Sequence, residues 1–186
     1  ELSRTVVEHY AQKHRVCPFE LALDLSLLAD CVICDYNYVF DPRAYLRRFF
    51  AAEKNDYVFL IDEAHNLVER SREMFSAELA KTAFAELKKR YKGRDKQLTR
   101  VLNGINKVFV GYRKECAERD HFVTKEVPAE LLKLIHKFIA VCDLLLKEDK
   151  ILSEDSEFLQ LYFESLHFLA IADLYDHRYV TYAEKR

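Results

Sequence analysis

Two adjacent carboxylates, Asp62 and Glu63, could do chemistry together with the nearby His65, which Ala64 separates from Glu63. They directly follow the apolar run 57–61, which has the length and composition of a fully buried strand. In open α/β sheets, ligands bind at the carboxyl ends of the strands. At that edge an aspartate can hold a hydrated Mg²⁺ ion, and a neighbouring glutamate can orient and activate a water molecule. The pattern therefore predicts the magnesium-binding half of a nucleoside-triphosphate site; the alternative is an acidic cap between a strand and a helix.

The elements that must position these carboxylates are predicted from the residues before them. Residues 2–15 and 18–28 have helical patterns, and Pro18 suits a first helical turn. Residues 31–40 are typical of a β-strand that runs into a turn at Asp41 and Pro42. A short basic helix with Arg43, Arg47 and Arg48 would then lead to the strand 57–61. Strand, helix and strand in this order build a parallel sheet through a right-handed crossover.

The composition sets the broad class of the protein. Half of the 186 residues are hydrophobic, and glycine and proline occur only three times each, which favours long helices with few tight turns. No apolar run is long enough to cross a bilayer and no signal segment opens the chain, so we expect no membrane association. Five cysteines, an odd number, fit a reducing compartment better than a disulfide framework. Because no methionine lies near Glu1, we expect a piece of a longer protein.

The second part of the chain has a different pattern. Apolar residues recur at helical spacing in four segments, which are 75–87, 98–112, 131–145 and 158–174. Pro128 fits one helix start, and Ser153, Glu154 and Asp155 fit another. Four amphipathic helices in succession predict a helical bundle. The alternating residues 178–183 predict a strand that returns to the sheet.

These patterns predict a mixed α/β fold that is predominantly α. It would contain a partial parallel sheet of the P-loop type with an inserted helical bundle. The expected boundaries are residues 1–68 for the first part of the α/β domain, 69–170 for the insertion, and 171–186 for the return to the α/β domain.

Three segments resemble one family, the iron–sulfur superfamily 2 DNA helicases of the XPD/DinG type. Cys17-Pro18-Phe19-Glu20 is similar to the Cys-Pro-Tyr/Phe segment that carries the family's fourth cluster cysteine. Residues 29–42 are similar to the family's strand that ends in an Asn-Tyr-x-Tyr-Leu/Phe-Asp-Pro turn, and residues 61–67 to its Walker B box, here a DEAH box. The family inserts a helical arch domain directly after that box. The resemblance implies that residues 1–68 and 171–186 belong to motor domain 1 and that residues 69–170 form the arch.

The resemblance also implies an activity and the residues that perform it. The parent protein would be an ATP-dependent 5′-to-3′ DNA helicase acting in repair or stress responses. Asp62 would hold the Mg²⁺ of bound ATP through water, Glu63 would be the base that positions the attacking water, and His65 would couple the nucleotide state to DNA binding. Cys17 would be the fourth ligand of a [4Fe–4S] cluster.

The chain departs from the family in two respects. It contains no G-x-x-x-x-G-K-[ST] phosphate loop, so we do not expect these residues alone to hydrolyse ATP. A [4Fe–4S] cluster needs four thiolates, and three of them would have to precede residue 1.

Cys31 and Cys34 cannot chelate one ion from a strand, because residues three apart point to opposite faces, so we expect core cysteines there. Cys116 and Cys142 are expected to be ordinary helix cysteines.

The charge distribution suggests where nucleic acid would bind. Residues 88–114 carry ten lysines and arginines against one acid, Asp95, whereas residues 143–164 carry seven acids against two lysines. Cationic grooves with stacking aromatic rings hold single-stranded DNA, and Tyr91 and Tyr112 lie within the basic segment. Ordinary solvated helix faces and core packing of the aromatic rings are the alternatives. The expected contacts with single-stranded or forked DNA are Lys88, Lys89, Arg90, Lys92, Arg94, Lys96, Arg100, Asn37 and Tyr38.

Two other functions stay open at this point. The chain could belong to a superfamily 2 ATPase of the DEAH type without a cluster, or it could be a non-enzymatic helical interaction module whose DEAH residues are vestigial. We expect a monomer, located in the bacterial cytoplasm with the nucleoid or in a eukaryotic nucleus.

Overall fold

The computed structural model describes residues 3–50, 57–116, 119–148 and 155–185, which divide into two units at residues 74 and 75. The first unit contains helices α1 (Arg4–His14), α2 (Pro18–Ser26), α3 (Asn37–Phe40), α4 (Arg47–Phe50) and α5 (Leu67–Met74), with a 3₁₀ turn at Ala64–Asn66. The second unit contains helices α6 (Lys81–Arg90), α7 (Lys96–Glu115), α8 (Ala129–Glu148) and α9 (Ser156–Ala172), and strands β1 (His121–Thr124) and β2 (Thr181–Glu184). None of the helices in these ranges is both long and apolar enough to cross a membrane.

The helix starts follow from local chemistry. Pro18 is the first residue of α2, where its missing N–H costs nothing. The carbonyl oxygen of Pro128 accepts a hydrogen bond from the backbone N–H of Leu132 at 3.0 Å and so begins α8. Asp95 and Asp155 cap α7 and α9 by accepting hydrogen bonds from backbone N–H groups of the first turn. The predicted start at Asp155 is confirmed, while Ser153 and Glu154 lie outside the described residues.

The four helices of the second unit enclose the main core. Ile105 of α7 and Ile135 and Phe138 of α8 are fully buried at its centre, and the ring of Phe138 meets Phe84 of α6 edge-on, with 5.5 Å between centroids. Each such side chain contributes about 1.5–3 kcal/mol by burial. The predicted helices near 98–112, 131–145 and 158–174 are confirmed. The first predicted segment, 75–87, is correct only from Lys81 onward.

The small sheet was predicted only in part. β1 and β2 are antiparallel, with His121 opposite Glu184 and Thr124 opposite Thr181. The strand prediction for 178–183 is therefore correct only from Thr181 onward, and the partner of this strand is β1 in the second unit. The thiol of Cys116, at the C-terminal end of α7, donates to the carbonyl of Ala183 at 3.5 Å and ties the sheet to that helix.

The two strands predicted in the first unit are not formed. Residues 31–36 have no regular structure and Asn37–Phe40 form a helical turn, so the strand prediction for 31–40 is wrong. Residues 57–61 also have no regular structure. A strand needs a neighbouring strand for its backbone N–H and C=O groups, and within the described residues of this unit neither run is paired. Ile33 is 96% exposed and Leu60 95% exposed, as expected of strand residues without a covering layer. The coarser prediction, a mixed and predominantly α fold, is confirmed.

Two glycines in α7 provide a test of the bundle packing. A Cβ atom built on Gly104 would lie 2.9 Å from Cδ2 of Leu134 in α8, whereas one on Gly111 would meet nothing within 4 Å. Alanine is favoured over glycine within a helix by about 0.5–1 kcal/mol. We expect Gly111→Ala to raise the free energy of unfolding by about that amount, and Gly104→Ala to raise it less or lower it, since Leu134 must move. Urea unfolding followed by circular dichroism measures both, and equal gains would contradict the close approach of α7 and α8.

Candidate active site and nucleic-acid interface

Asp62, Glu63 and His65 lie in the tight turn that precedes α5. One carboxylate oxygen of Asp62 accepts the backbone N–H of Glu63 at 2.9 Å, and the carbonyl of Glu63 accepts the N–H of Asn66 at 2.9 Å. Glu63 adopts the left-handed conformation, with φ 48° and ψ 39°. This conformation is unfavourable for a residue with a Cβ atom and often marks functional positions. The turn ends the apolar run 57–61 and projects two acidic side chains at the entry to a helix.

The carboxylates of this turn do not act as helix caps. The Glu63 side chain makes no capping hydrogen bond, and among the described residues the Asp62 carboxylate bonds only to the amide of the next residue. Instead, the carboxylate of Glu63 lies 3.3 Å from Nε2 of His65, and both side chains are exposed, Glu63 by 65% and His65 by 74%. Exposed carboxylate oxygens are suitable ligands for a hard divalent cation. The alternative of an acidic cap is therefore not what the geometry shows.

The turn around Asp41 is built by an ion pair. Asp41 is buried, and its carboxylate accepts hydrogen bonds from the backbone N–H of Arg43 at 2.8 Å and from the guanidinium at 2.9 and 3.1 Å. Burial raises the pKa of Asp41, but the bonds from Arg43 lower it more, so that its pKa lies below the ordinary value. The predicted turn at Asp41–Pro42 is confirmed, and Asp41 has a structural role.

Asn37 and Tyr38, predicted to contact nucleic acid, begin α3 and are half-buried. The N–H of Asn37 donates to the carboxylate of Asp35 at 2.8 Å, and the Tyr38 ring lies 6.3 Å from the ring of Phe19. The carbonyl of Tyr38 accepts the N–H of Leu46 at 2.8 Å. The ring contact gives Tyr38 a packing role in the first unit, and the hydrogen bonds fix the backbone of both residues.

The cysteines do not form a metal centre in the described part of the chain. Cys17 precedes α2 and is exposed, so its thiol is accessible, but no group of three or more potential metal ligands occurs among the described residues. A complete cluster set is therefore not present there. Cys31 and Cys34 are exposed, and the prediction that they are core cysteines is wrong, because the strand that would have buried one of them is not formed. Cys116 and Cys142 are buried helix cysteines, as predicted.

The basic segment lies at the corner between α6 and α7. We use the name basic surface for six residues of this corner that are at least partly exposed and lie on α6, the connecting turn and α7. Gly93, with φ +82°, allows the sharp reversal between the helices. The basic surface consists of Lys88, Lys89, Lys92, Arg94, Lys96 and Arg100.

Arg90 differs from these neighbours. Its guanidinium bonds to both carboxylate oxygens of Asp155 at 2.8 and 3.0 Å and also pairs with Glu157. Next to it, Tyr91 is buried, donates its hydroxyl to Asp155, and packs edge-on against Phe158 with 5.9 Å between ring centroids. The sequence alone did not identify Asp155 and Glu157 as partners of Arg90 and Tyr91, although both acids lie in the acid-rich segment 143–164. Tyr112 is half-buried and stacks on Phe122, so packing is also the role of the second tyrosine.

Comparison with known proteins covers the first part of the chain. The DEAD_2 family matches residues 4–84, which include Cys17, Asn37, Tyr38 and the turn at Asp62. The match covers less than half of the chain, so the similarity is to this segment alone. The DEAD_2 match supports the resemblance to the XPD/DinG-like superfamily 2 helicases. The basic surface lies beyond the residues that the DEAD_2 family matches.

Three curated relatives illustrate the similarity. The chain is 38% identical over 65 residues to the Fanconi anemia group J protein homolog of Gallus gallus, covering 35% of this chain and 5% of that protein. It is 33% identical over 81 residues to the regulator of telomere elongation helicase 1 homolog of Caenorhabditis briggsae, covering 41% and 8%. It is 37% identical over 67 residues to the regulator of telomere elongation helicase 1 of Homo sapiens, covering 36% and 5%. The matched regions thus span less than a tenth of these relatives, and no solved structure matches the chain.

The environment of Asp155 predicts a pH dependence of stability. Burial raises the pKa of Asp155, but bonds from the Tyr91 hydroxyl, the Phe158 N–H and Arg90 lower it below its ordinary value of 3.8. The ionised carboxylate is therefore favoured in the folded state, and its stabilisation is present above 3.8 and lost as pH falls through the lower folded-state pKa.

Asp155→Asn keeps a good helix cap, removes the charge and replaces one acceptor oxygen by an amide group that can only donate. We expect this variant to be less stable than the wild type at about pH 7, with the difference shrinking at about pH 3. Urea unfolding at both pH values measures it, and an equal difference at both would show that the charge does not matter.

Proposed function

We propose that the chain is part of an ATP-dependent DNA helicase of the XPD/DinG type and supplies the acidic half of its ATPase site. One observation carries this proposal: within the DEAD_2 segment, Asp62 and Glu63 form an exposed acidic turn whose carboxylates do not cap the following helix. The similarity to two proteins named helicases supports it. Because the chain covers a small share of those relatives, the activity is proposed for a longer protein that contains these residues.

In this proposal each residue of the acidic turn has one task. Asp62 holds the water-coordinated Mg²⁺ of bound ATP through its exposed carboxylate. Glu63 accepts hydrogen bonds from the attacking water and orients it towards the terminal phosphate. His65, 3.3 Å from Glu63, exchanges that contact for others as the nucleotide changes and so links ATP to DNA binding. The phosphate-binding loop comes from residues outside this chain, since the sequence has none.

The proposed domain arrangement places residues 1–68 and 171–186 in motor domain 1 and residues 69–170 in the arch. Strands from the remainder of the longer protein would pair with the runs 31–35 and 57–61 and complete a parallel sheet. The exposure of Ile33, Val58 and Leu60, at 88% or more, supports this, because such side chains are normally covered in a parallel sheet.

For the iron–sulfur group, Cys17 is the one residue of the chain that we propose as a ligand. Its exposed position at the start of α2 is compatible with that role. The other three thiolates that a [4Fe–4S] cluster needs would come from outside the chain.

The proposed nucleic-acid partner is single-stranded or forked DNA, which the protein would follow 5′ to 3′ as a monomer. In a eukaryote we propose a nuclear location, and in a bacterium a location with the nucleoid. The basic surface supports phosphate contacts that are independent of base sequence and weaken with salt. Asn37 and Tyr38 stay proposed contacts of motor domain 1, although the Tyr38 ring also lies close to Phe19 within it.

A substitution at Glu63 tests the ATPase assignment in the longer protein. We expect Glu63→Gln to lower the DNA-stimulated turnover number by about 100-fold or more, because an amide cannot take up a proton from water. Nucleotide binding should be unchanged, since Asp62 keeps the metal. Steady-state hydrolysis and equilibrium binding of a fluorescent ATP analogue measure the two effects. Glu69→Gln, on the exposed surface of α5, is the matched control, and wild-type turnover in Glu63→Gln would refute the assignment.

Charge reversal tests the basic surface. The triple variant Lys89→Glu, Lys92→Glu, Lys96→Glu should bind single-stranded DNA at least about 10-fold more weakly than the wild type at moderate salt. Fluorescence anisotropy with a labelled oligonucleotide measures the affinity. The control makes the same change of charge at three exposed positions of α8, which are Lys133, Lys137 and Lys147. Equal reductions in affinity in the two triple variants would mean that only net charge matters and that the basic surface does not bind DNA.

A further inference from the structure

Asp155 joins two structural tasks in one carboxylate. It caps α9 by accepting the backbone N–H groups of Glu157 at 3.2 Å and Phe158 at 3.1 Å. The same carboxylate accepts the Tyr91 hydroxyl and two hydrogen bonds from Arg90. A helix cap alone needs one acceptor oxygen. The additional bonds attach the end of α6 and the turn after it to the start of α9.

Tyr91 is the residue through which this attachment reaches the basic surface. It is 6% exposed, and its ring packs against Phe158 of α9. The guanidinium of Arg94 lies over the Tyr91 ring, 5.4 Å from its centroid, within the range of a cation–π contact. The N–H of Arg94 also donates to the carbonyl of Tyr91 at 3.2 Å. The position of Arg94 is thus set by Tyr91, and the position of Tyr91 is set by Asp155 and Phe158.

Arg90 takes part in this attachment through two ion pairs. Its guanidinium faces two carboxylates, Asp155 and Glu157, so a phosphate group would have to displace both to bind it. Charge-assisted hydrogen bonds of this kind are among the stronger hydrogen bonds in proteins. Arg90 is 41% exposed, yet its donors are directed to the protein's own acids.

We propose that Tyr91 and Asp155 are positioning residues for the basic surface, and that Arg90 is their structural partner and not a phosphate ligand. This inference rests on the proposed DNA contact of the basic surface. Arg90 is thereby removed from the DNA-contacting residues expected from the sequence. Tyr91 and Asp155 are added as residues that support the contact without touching DNA. Lys92 and Arg94, which follow Tyr91 directly, are the cations whose placement depends most on the attachment.

Salt dependence separates a phosphate ligand from a structural cation. For single-stranded DNA, the slope of log affinity against log salt falls by about 0.7 for each phosphate that the protein no longer neutralises. Lys89→Gln should reduce the slope by about 0.7. Arg90→Gln should leave it unchanged within about 0.2, because Tyr91 still bonds to Asp155 and packs on Phe158 and so keeps the basic surface in place. The two variants make the same change of charge at neighbouring exposed positions of α6. A reduction in Arg90→Gln as large as that in Lys89→Gln would overturn the assignment of Arg90.

Tyr91→Phe tests positioning without any change of charge. We expect this variant to bind the oligonucleotide about threefold more weakly, with a smaller salt slope, because fewer cations reach the phosphates together. Amide hydrogen exchange of residues 88–96 should become about fivefold faster, since the turn opens more often. Tyr162→Phe is the matched control, because its hydroxyl donates to Asp143 at 2.6 Å in a similar tyrosine–carboxylate pair elsewhere in the second unit. It should change neither quantity.

The outcomes distinguish this inference from the proposed function. If the wild type binds DNA with a clear salt slope and Tyr91→Phe behaves like the wild type, the positioning role is wrong and the basic surface stands. If Tyr91→Phe exchanges faster but binds with unchanged slope and affinity, Tyr91 is only structural and the inference is again overturned. If the wild type shows no salt-dependent binding, the basic surface does not bind DNA, and the positioning role falls with it.

Discussion

A β-strand satisfies its backbone only when another strand lies beside it, and this constraint separates the two units of the chain. A helix makes its backbone hydrogen bonds within itself. In the described residues of the second unit, the backbone N–H and C=O groups are therefore paired mainly within four helices and one pair of strands. The first unit carries two apolar runs that suit a sheet, 31–35 and 57–61, and within the described residues neither has a partner strand. The acidic turn at Asp62 is therefore held by its own local hydrogen bonds and by α5, without a sheet beneath it.

The same constraint explains which parts of the fold could be predicted. Helical periodicity is a local signal, and α7, α8 and α9 appear where the apolar residues recur at that spacing. Strand formation at 31–40 depends on residues far away or outside the chain, so a strand-like composition there led to a wrong prediction. β1 was missed because His121–Thr124 is too short for an alternating pattern to stand out, and its pairing with β2 joins residues about 60 positions apart.

The candidate site was predictable where chemistry depends on neighbouring residues and not where it depends on the fold. Asp62, Glu63 and His65 follow one another, so their shared turn could be expected from the sequence. The roles of Arg90 and Tyr91 could not, because their partner Asp155 lies 64 positions beyond Tyr91 and is brought near by the packing of α6 against α9. A basic segment in a sequence does not reveal which of its cations the protein already uses.

Three aspartates near helix starts differ in the hydrogen bonds that their carboxylates make. Asp95 accepts the N–H of Leu98 and Asp155 accepts those of Glu157 and Phe158, so both use their charge to stabilise helix ends. Asp155 also binds Arg90 and Tyr91; burial raises its pKa, but these bonds and that from the Phe158 N–H lower it below the ordinary value. In the part of the chain that the structure describes, Asp62 bonds only to the adjacent amide, in a turn whose central residue has an unfavourable backbone conformation. A carboxylate that is exposed, caps no helix and lies beside a strained residue gives little to stability, which is compatible with the metal-binding role proposed for Asp62.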